Sequence, residues 1–151
     1  MNRQVLTSEE LERILAVRPA TAELFATTPD SYFLDLLASV DRSLLDRLMS
    51  EHTYERGEII FKEGDRGNSM YLIRSGRVVV VKGDLETPTI LGYRGPGEII
   101  GEMALLEGQP RSASIIAVER LRMLKISRES FQELLNSEPA IGMSIMASLS
   151  A

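Results

Sequence analysis

From about residue 52 to residue 126 the chain alternates short apolar runs with turns rich in glycine and charged residues. The runs at 70–73 and 78–81 have the length of β-strands and are too short for helices. The turns at 63–68 and 75–76 carry the glycines that end strands and reverse the chain. This spacing predicts an antiparallel all-β unit, and periodicity alone leaves open both a barrel and a double-stranded β-helix.

Helical patterns precede this region. Thr7 and Glu10 have the spacing of a capping box, and Pro19 ends the predicted helix. Asp30 and Asp41 are suitable N-caps for two further short helices. The apolar positions of the three predicted helices are Leu11, Ile14 and Leu15, then Phe33, Leu36 and Leu37, then Leu44, Leu45, Leu48 and Met49.

Helical patterns also follow the β region. Ser127 is a suitable N-cap for one helix, and Pro139 in a first turn starts another. Their apolar positions are Phe131, Leu134 and Leu135, then Ile141, Ile145 and Leu149. The second stripe needs a partner, either a second copy in a homodimer or the chain's own β region. Because the last helix runs to Ala151 without a glycine cap, we expect a truncated helix and a longer natural protein.

Length and charge restrict the functional classes. The 151 residues suffice for one domain with accessory helices, and we divide them into a helical leader at 1–29, compatible with partial disorder, and a domain at 30–151. Seventeen basic and 22 acidic residues give a net charge of −5, which argues against nucleic-acid binding by this chain alone. No apolar run approaches the roughly 18–20 residues of a membrane span. We therefore expect a cytoplasmic location and no membrane partner.

Residue types that carry most enzyme chemistry are scarce. Without cysteine the chain has no disulfide, thiolate nucleophile or zinc–cysteine site. His52, the only histidine, cannot build the metal site of a cupin-type enzyme, and we interpret it as a partly exposed residue at a strand start. Glu98 and Glu102 could act as an acid–base pair, but no nucleophile or orienting group accompanies them. We predict a binding domain, not an enzyme, with no metal and no cofactor.

The segment 101–114 joins a glycine-led helical stretch to an arginine through a tight turn. Backbone N–H groups at a helix start favour anions, and Gly101 would let the backbone approach one closely. Arg111 can hold two phosphate oxygens at once, and Ser112 adds a hydroxyl. The residues therefore predict a site for a phosphate group.

This segment closely resembles the phosphate-binding cassette of cyclic nucleotide-binding domains. Those domains occur in catabolite-activator-type regulators, in regulatory subunits of cyclic-AMP-dependent kinases and in gated ion channels. The matching residues are Gly101, Glu102, Ala104, Leu105, Leu106, Arg111 and Ala113. The stretches 56–60, 63–65 and 70–78 also fit the family, and the resemblance extends over roughly 33–150. It implies a mainly β fold, an eight-stranded antiparallel β-roll of jelly-roll type with N- and C-terminal helices.

The resemblance also implies roles for the site residues. Arg111 would pair with the exocyclic phosphate, and Glu102 would accept a hydrogen bond from the ribose 2′-hydroxyl. A phosphate nest would comprise Gly101 with the backbone N–H groups of Met103 and Ala104. The small Ala113 would allow close approach of the ligand. Each residue also has an explanation without a ligand: a surface arginine at 111, an acid at a helix terminus at 102, and ordinary packing at both alanines.

The residue after the arginine bears on the base. In the family, a hydroxyl at the position of Ser112 is often linked to cyclic GMP, through the guanine amino group. Catabolite-activator-type domains instead carry serine there, use cyclic AMP and place the hydroxyl on the phosphate. We favour cyclic AMP and keep cyclic GMP as the alternative.

The resemblance predicts a regulatory domain that senses a cyclic nucleotide and relays binding to an effector region C-terminal to residue 151. One alternative is an interaction module of the same fold that has no ligand. Another is the sensor part of a catabolite-activator-type transcription regulator. A small cupin-like enzyme is a third.

Overall fold

The computed structural model describes residues 4–17, 42–101, 108–140 and 143. Within these ranges, eight strands and three helices with described bounds are present, and residues 139–140 and 143 are also helical. The predicted class of mainly β roll with flanking helices is confirmed. In chain order the elements are α1 (Ser8–Leu15), α2 (Arg42–Leu48), β1 (Met49–Tyr54), β2 (Ile59–Phe61), β3 (Ser69–Ser75), β4 (Val78–Lys82), β5 (Thr89–Arg94), β6 (Ile99–Ile100), β7 (Ser114–Ala117), β8 (Leu121–Ser127) and α3 (Arg128–Ser137).

The strands form two sheets of four, with the orders β1-β8-β3-β6 and β2-β7-β4-β5. Every pairing is antiparallel, and the chain passes repeatedly from one sheet to the other. The first sheet joins β1 to β8, so the two ends of the β region meet in one ladder. Periodicity left open a barrel and a double-stranded β-helix. The two separate sheets favour the double-stranded β-helix, because a barrel would close a single sheet on itself.

Strands β3 and β4 read as continuous apolar runs because both of their faces are covered. In β4, Val78 packs between the two sheets, whereas Val79 and Val81 pack on the outer face of the second sheet. In β3, Tyr71 and Ile73 point into the roll. The inner cluster comprises Tyr54, Tyr71, Ile73, Val78, Ile100, Ile115, Ala117, Leu121 and Met123.

Helices α2 and α3 cover the outer face of the first sheet. Phe131 and Leu134 of α3 pack there on a cluster that includes Met70 and Leu72. The predicted N-cap is confirmed, since the Ser127 hydroxyl accepts a hydrogen bond from the Ser130 N–H. Within the described ranges, no helix has the length and apolar character of a membrane span.

One residue of the helix predictions was wrong, and several others lie outside the described residues. Met49 was predicted as helical but begins β1, because it pairs with Ile126 and joins the cluster beneath the helices. The predicted helix after Asp30, the cap at Asp41 and the stripe Ile141, Ile145 and Leu149 lie outside the described residues. The domain boundary at residue 29 lies there too and stays a prediction.

Residues 4–17 pack on the second sheet. The Ile59 N–H donates to the Gln4 carbonyl at 2.9 Å, and the Leu6 N–H donates to the Gly57 carbonyl at 2.9 Å. Leu11 and Ile14 of α1 are buried against the outer face of that sheet. The capping box is confirmed, and α1 ends at Leu15, before Pro19. The described part of the leader therefore shields apolar sheet residues from water.

The capping box predicts a pH effect on stability. The Thr7 backbone N–H donates to the Glu10 carboxylate at 3.0 Å and, together with the Thr7 hydroxyl, holds the Glu10 pKa below its ordinary 4.5. A lowered folded-state pKa means that the carboxylate stabilises the protein above pH 4.5, and that this contribution disappears as the pH falls through the lowered value. We expect Glu10→Gln to lower the melting temperature at neutral pH and to match wild type in acid.

Melting curves across this pH range test the effect. Glu9→Gln is the control, because Glu9 lies in the same first turn but outside the capping box. An equal, equally pH-dependent change in both variants would assign the effect to the helix dipole and contradict the capping-box account.

Candidate functional site

The loop between β2 and β3 fixes the backbone of Arg111. Its N–H donates to the Asp65 carbonyl at 2.8 Å, and its carbonyl accepts from the Gly64 N–H at 2.7 Å. Asp65 and Gly64 belong to the loop between β2 and β3, and Arg111 lies three residues before β7. The reciprocal pair of bonds holds Arg111 at the end of the roll where these two strands meet.

The Arg111 side chain is buried, with 6% of the residue exposed. Its guanidinium carbon lies 4.1 Å from the centroid of the Phe61 ring, in cation–π contact. Its Nη1 donates to the Gly101 carbonyl at 3.0 Å. Arg111 therefore differs from an ordinary surface arginine, because its permanent charge is buried, stacked on a ring and held by a directional hydrogen bond.

Gly101 follows β6 and contacts the same guanidinium. Its φ of +79° lies in the left-handed region, which glycine adopts without steric cost. A Cβ added there would stand 2.5 Å from Arg111 Nη1 and 3.4 Å from Phe61 Cε2. Two residues that the sequence singled out, ten positions apart, are thus brought into direct contact.

The residues after Arg111 differ in exposure. Ser112 is exposed, and its carbonyl accepts from Lys82 Nζ at 3.4 Å. Ala113 is buried, with 6% exposed. Glu102, Met103 and Ala104 lie outside the described residues, so their predicted roles stay predictions.

An open cleft of about 460 Å³ lies between the β2–β3 loop and the segment before Arg111. Ligand pockets in proteins commonly have volumes of about 300–1,000 Å³. The cleft is lined by Arg66, Gly67, Asn68, Gly108, Gln109 and Pro110. Gly67 also lies against the Arg111 guanidinium, because a Cβ added there would stand 2.5 Å from Nη2. The arginine and the cleft are therefore neighbours.

Three residues at this end of the roll escaped the sequence interpretation: Phe61, Gly67 and Lys82. Phe61 reads as one more apolar strand residue, and Gly67 as one more turn glycine. The only sequence signal is the second glycine of the 63–68 turn, which a single reversal of the chain does not need.

The other candidate residues do not join this site. His52 lies within β1, half-buried, with its Nε2 2.8 Å from the Ser50 hydroxyl. Glu98 forms an ion pair with Arg94 at 3.6 Å. In the part of the chain that the structure describes, no three histidine, aspartate or glutamate side chains gather where they could hold a metal ion.

Comparisons with known proteins agree on one family. The family model described as "Cyclic nucleotide-binding domain" matches residues 51–138. The cAMP-dependent protein kinase regulatory subunit of Hypocrea atroviridis is 34% identical over 102 residues, which cover 68% of this chain and 21% of that protein. The Cyclic AMP receptor protein of Thermus thermophilus is 38% identical over 97 residues, covering 64% of this chain and 45% of that protein. The chain therefore spans less than half the length of these relatives.

A solved structure extends the agreement to the fold. The Catabolite Activator Protein of Thermus thermophilus superposes with a TM-score of 0.65 at 33% identity, covering 76% of this chain and 56% of that one. The β-roll and the family resemblance noted from the cassette are both consistent with this match.

Proposed function

Because this chain belongs to the cyclic nucleotide-binding domain family, we propose that it binds cyclic AMP in preference to cyclic GMP and relays binding to an effector region. The observation that carries the proposal is the buried Arg111 guanidinium, stacked on Phe61 and bonded to Gly101 beside an open cleft. The domain acts by binding, without catalysis.

Arg111 supplies the charge for the phosphate. A cyclic phosphodiester carries one negative charge, so a single guanidinium balances it, and its planar donors match two phosphate oxygens. Arg111 is held in place by contacts to three other segments, so little side-chain entropy remains to be lost on binding. Met103 and Ala104 would add backbone donors and Glu102 would accept from the ribose, as the family resemblance implies.

Ser112 supports cyclic AMP. It follows the arginine and is exposed, so its hydroxyl can turn towards a phosphate held by Arg111. The relatives from Hypocrea and Thermus are both named for cyclic AMP. We propose that the Ser112 hydroxyl contacts the phosphate. The amino group of the guanine in cyclic GMP would then have no hydrogen-bond acceptor from Ser112.

The relay would run through β6. Ile99 packs against the cluster that contains Phe131 and Leu134 of α3, and Gly101, two residues later, contacts Arg111. A shift of the backbone at 101 on phosphate binding would therefore reach α3. Two arrangements of the helices that differ in ligand affinity suffice for linkage. The effector region C-terminal to residue 151 and homodimerisation are further parts of this proposal.

Calorimetric titration with cyclic AMP and cyclic GMP tests the proposal. We expect saturable binding of both ligands, with the tighter dissociation constant for cyclic AMP. Tighter binding of cyclic GMP would reverse the assignment of the base. No heat with either ligand, on this chain and on a longer chain that extends beyond residue 151, would favour the ligand-free interaction module.

Ser112→Ala separates the two roles of the hydroxyl. If it contacts the phosphate, the variant should weaken both nucleotides by a similar factor, about threefold to tenfold for one hydrogen bond. If it contacts guanine, only cyclic GMP should weaken. The ratio of the two dissociation constants is therefore the measurement, and a ratio that changes would contradict the phosphate assignment.

A further inference from the structure

Residues 4–17 lie outside the stretch 51–138 that matches the family model, yet they are attached to the β-roll. We call these residues the leader clamp: a strand part at 4–6, which lies beside β2, and helix α1, which packs on the second sheet. We propose that docking of the leader clamp and binding of the cyclic nucleotide at the Arg111 site favour each other, because β2 contacts both. The identity of the ligand rests on the proposed function, whereas the attachment of the clamp does not.

The strand part of the clamp extends the second sheet. Val5 faces Glu58 in an antiparallel bridge. The two backbone hydrogen bonds of 2.9 Å between 4–6 and 57–59 flank this bridge. β2 has only three residues, and its other edge pairs with β7. Much of the hydrogen bonding that fixes the start of β2 therefore comes from the clamp.

Gly57 allows the close approach of the clamp. Its φ of +93° lies in the left-handed region, which glycine adopts without steric cost. A Cβ added there would stand 2.8 Å from the Leu6 carbonyl oxygen and 3.7 Å from Val5 Cγ1. On its other side, the Gly57 N–H donates to the Ala117 carbonyl of β7 at 2.8 Å. Residue 57 is thus held between the clamp and β7, with no room for a side chain on the side of the clamp.

Helix α1 is held by the burial of apolar side chains. Leu11 is 1% exposed and Ile14 is 3% exposed. The sheet residues in the same cluster are Ile59, Val79, Val81, Ile90 and Ile116. Undocking of the clamp would return these β-branched side chains to water, which costs free energy in proportion to the apolar area exposed. The docked state is therefore the stable one, and the undocked state is a minor one.

β2 connects the clamp to the ligand site within three residues. Ile59 packs with the clamp on the outer face, whereas Phe61 packs inside the roll and makes the cation–π contact with Arg111. The loop that follows β2 holds the Arg111 backbone through Gly64 and Asp65. When the clamp undocks, the start of β2 loses its hydrogen bonds to residues 4–6, so Phe61 and this loop gain freedom that the ligand must remove on binding. The ligand therefore binds the docked state more tightly, and by linkage it stabilises docking by the same factor.

Amide hydrogen exchange in the unaltered chain tests the coupling directly. The Leu6 N–H reports undocking of the strand part, because it donates to Gly57. Saturating cyclic AMP should slow its exchange about fivefold to twentyfold. The Thr87 N–H, in the turn between β4 and β5, is the control and should exchange at the same rate with and without ligand. Unchanged exchange of Leu6 at saturation would overturn the proposal, because a ligand that binds both states equally shifts neither.

The Val79 N–H separates undocking of the clamp from unfolding of the domain. Val79 is fully buried in β4, so its amide exchanges through opening of the sheet. In the ligand-free protein, the Leu6 amide should have a lower protection factor than the Val79 amide. Identical protection factors, with identical slowing by the ligand, would mean that the clamp opens only with the whole domain, and would overturn the proposal.

Leu11→Ala weakens docking of the clamp. We expect a lower melting temperature and, where the variant is folded, about threefold to tenfold weaker binding of cyclic AMP. Arg13→Ala is the matched control, since Arg13 is exposed on the same helix, and it should leave the affinity within about twofold of wild type. A lower melting temperature with wild-type affinity would show that α1 is only structural and would overturn the proposal. If Leu11→Ala does not fold, the exchange measurement on the unaltered chain decides.

A reversible disulfide restores docking in the same variant. Val5 and Glu58 form a non-hydrogen-bonded antiparallel pair, whose Cα atoms lie about 4.5 Å apart, within the range of a disulfide. The chain has no cysteine, so Val5→Cys with Glu58→Cys gives a single pair of thiols. Added to Leu11→Ala, the oxidised pair should bind cyclic AMP about threefold to tenfold more tightly than the reduced pair, which is the control for both substitutions. Equal affinities of the two forms would contradict coupling through β2.

Failure of the proposed function would be recognised separately. If neither nucleotide binds, the proposed function and the ligand of this coupling are refuted, and the Gly64 N–H decides whether the clamp reaches the site. This N–H donates to the Arg111 carbonyl, so it reports the loop after β2 in the ligand-free protein. It should exchange at least about threefold faster in Leu11→Ala than in wild type or in Arg13→Ala. The same rate in all three proteins would overturn the link between the clamp and the site.

Discussion

Arg111→Ala should lower the affinity for cyclic AMP at least about thirtyfold. The guanidinium is buried and held by a bond to Gly101 and a stack on Phe61, so the variant loses a preorganised cation. Truncation of one partner of a buried, hydrogen-bonded charge pair costs about 2–5 kcal/mol of binding free energy, and each 1.4 kcal/mol is a factor of ten. Calorimetric titration measures the loss, and melting curves with and without ligand check it independently.

Arg120→Ala is the matched control for that variant. Arg120 pairs with Glu55 at 3.6 Å, and both side chains are largely exposed, so its removal should leave affinity and stability nearly unchanged. Arg111→Lys should recover only part of the affinity, because an ammonium restores the charge but not the planar donors. Arg111→Ala that binds cyclic AMP as tightly as wild type would place the phosphate elsewhere.

The strands were largely predictable from the sequence, whereas their pairing was not. The runs at 70–73 and 78–81 lie in strands whose two faces are both buried. Such strands appear in a sequence as unbroken apolar stretches, so they can be predicted. The roll itself depends on β1 pairing with β8, and no local pattern specifies a contact between Met49 and Ile126. Because of the same pairing, Met49 belongs to β1 and not to the predicted helix.

The leader illustrates the same limit. Its capping box and apolar stripe predicted α1 correctly, because both are local features. The stripe shows only that Leu11 and Ile14 need an apolar partner. That the partner is the outer face of the second sheet follows from tertiary structure, through the backbone bonds that tie Gln4 and Leu6 to β2.

The candidate site divides similarly. Gly101 and Arg111 stood out because their residue types at this spacing suit a phosphate, and the structure brings them into contact. Phe61 and Gly67 could not stand out, because a strand phenylalanine and a turn glycine have common local explanations. Their relation to Arg111 exists only once β2, the β2–β3 loop and the start of β7 meet.

Gly76→Ala should destabilise the domain by about 4 kcal/mol or more, a large part of the about 5–15 kcal/mol of a typical domain. Gly76 lies between β3 and β4 with a φ of +90°, where an L-residue costs about 1–2 kcal/mol. A Cβ there would also overlap the Arg120 carbonyl oxygen and stand 2.8 Å from Leu121 Cα. Both atoms are backbone, and Leu121 is fully buried at the start of β8, so neither can move aside cheaply.

Gly83→Ala separates the clash from the backbone strain. Its φ of +87° is nearly the same, but a Cβ there would meet nothing within 4 Å. We therefore expect Gly83→Ala to lower the free energy of unfolding by only about 1–2 kcal/mol. Urea denaturation of both variants, with linear extrapolation to water, measures the two losses. The difference between the two losses of unfolding free energy measures the effect of the clash with the backbone at 120–121. Equal losses would mean that the turn after β3 relaxes around the new methyl group, and that this contact does not constrain residue 76.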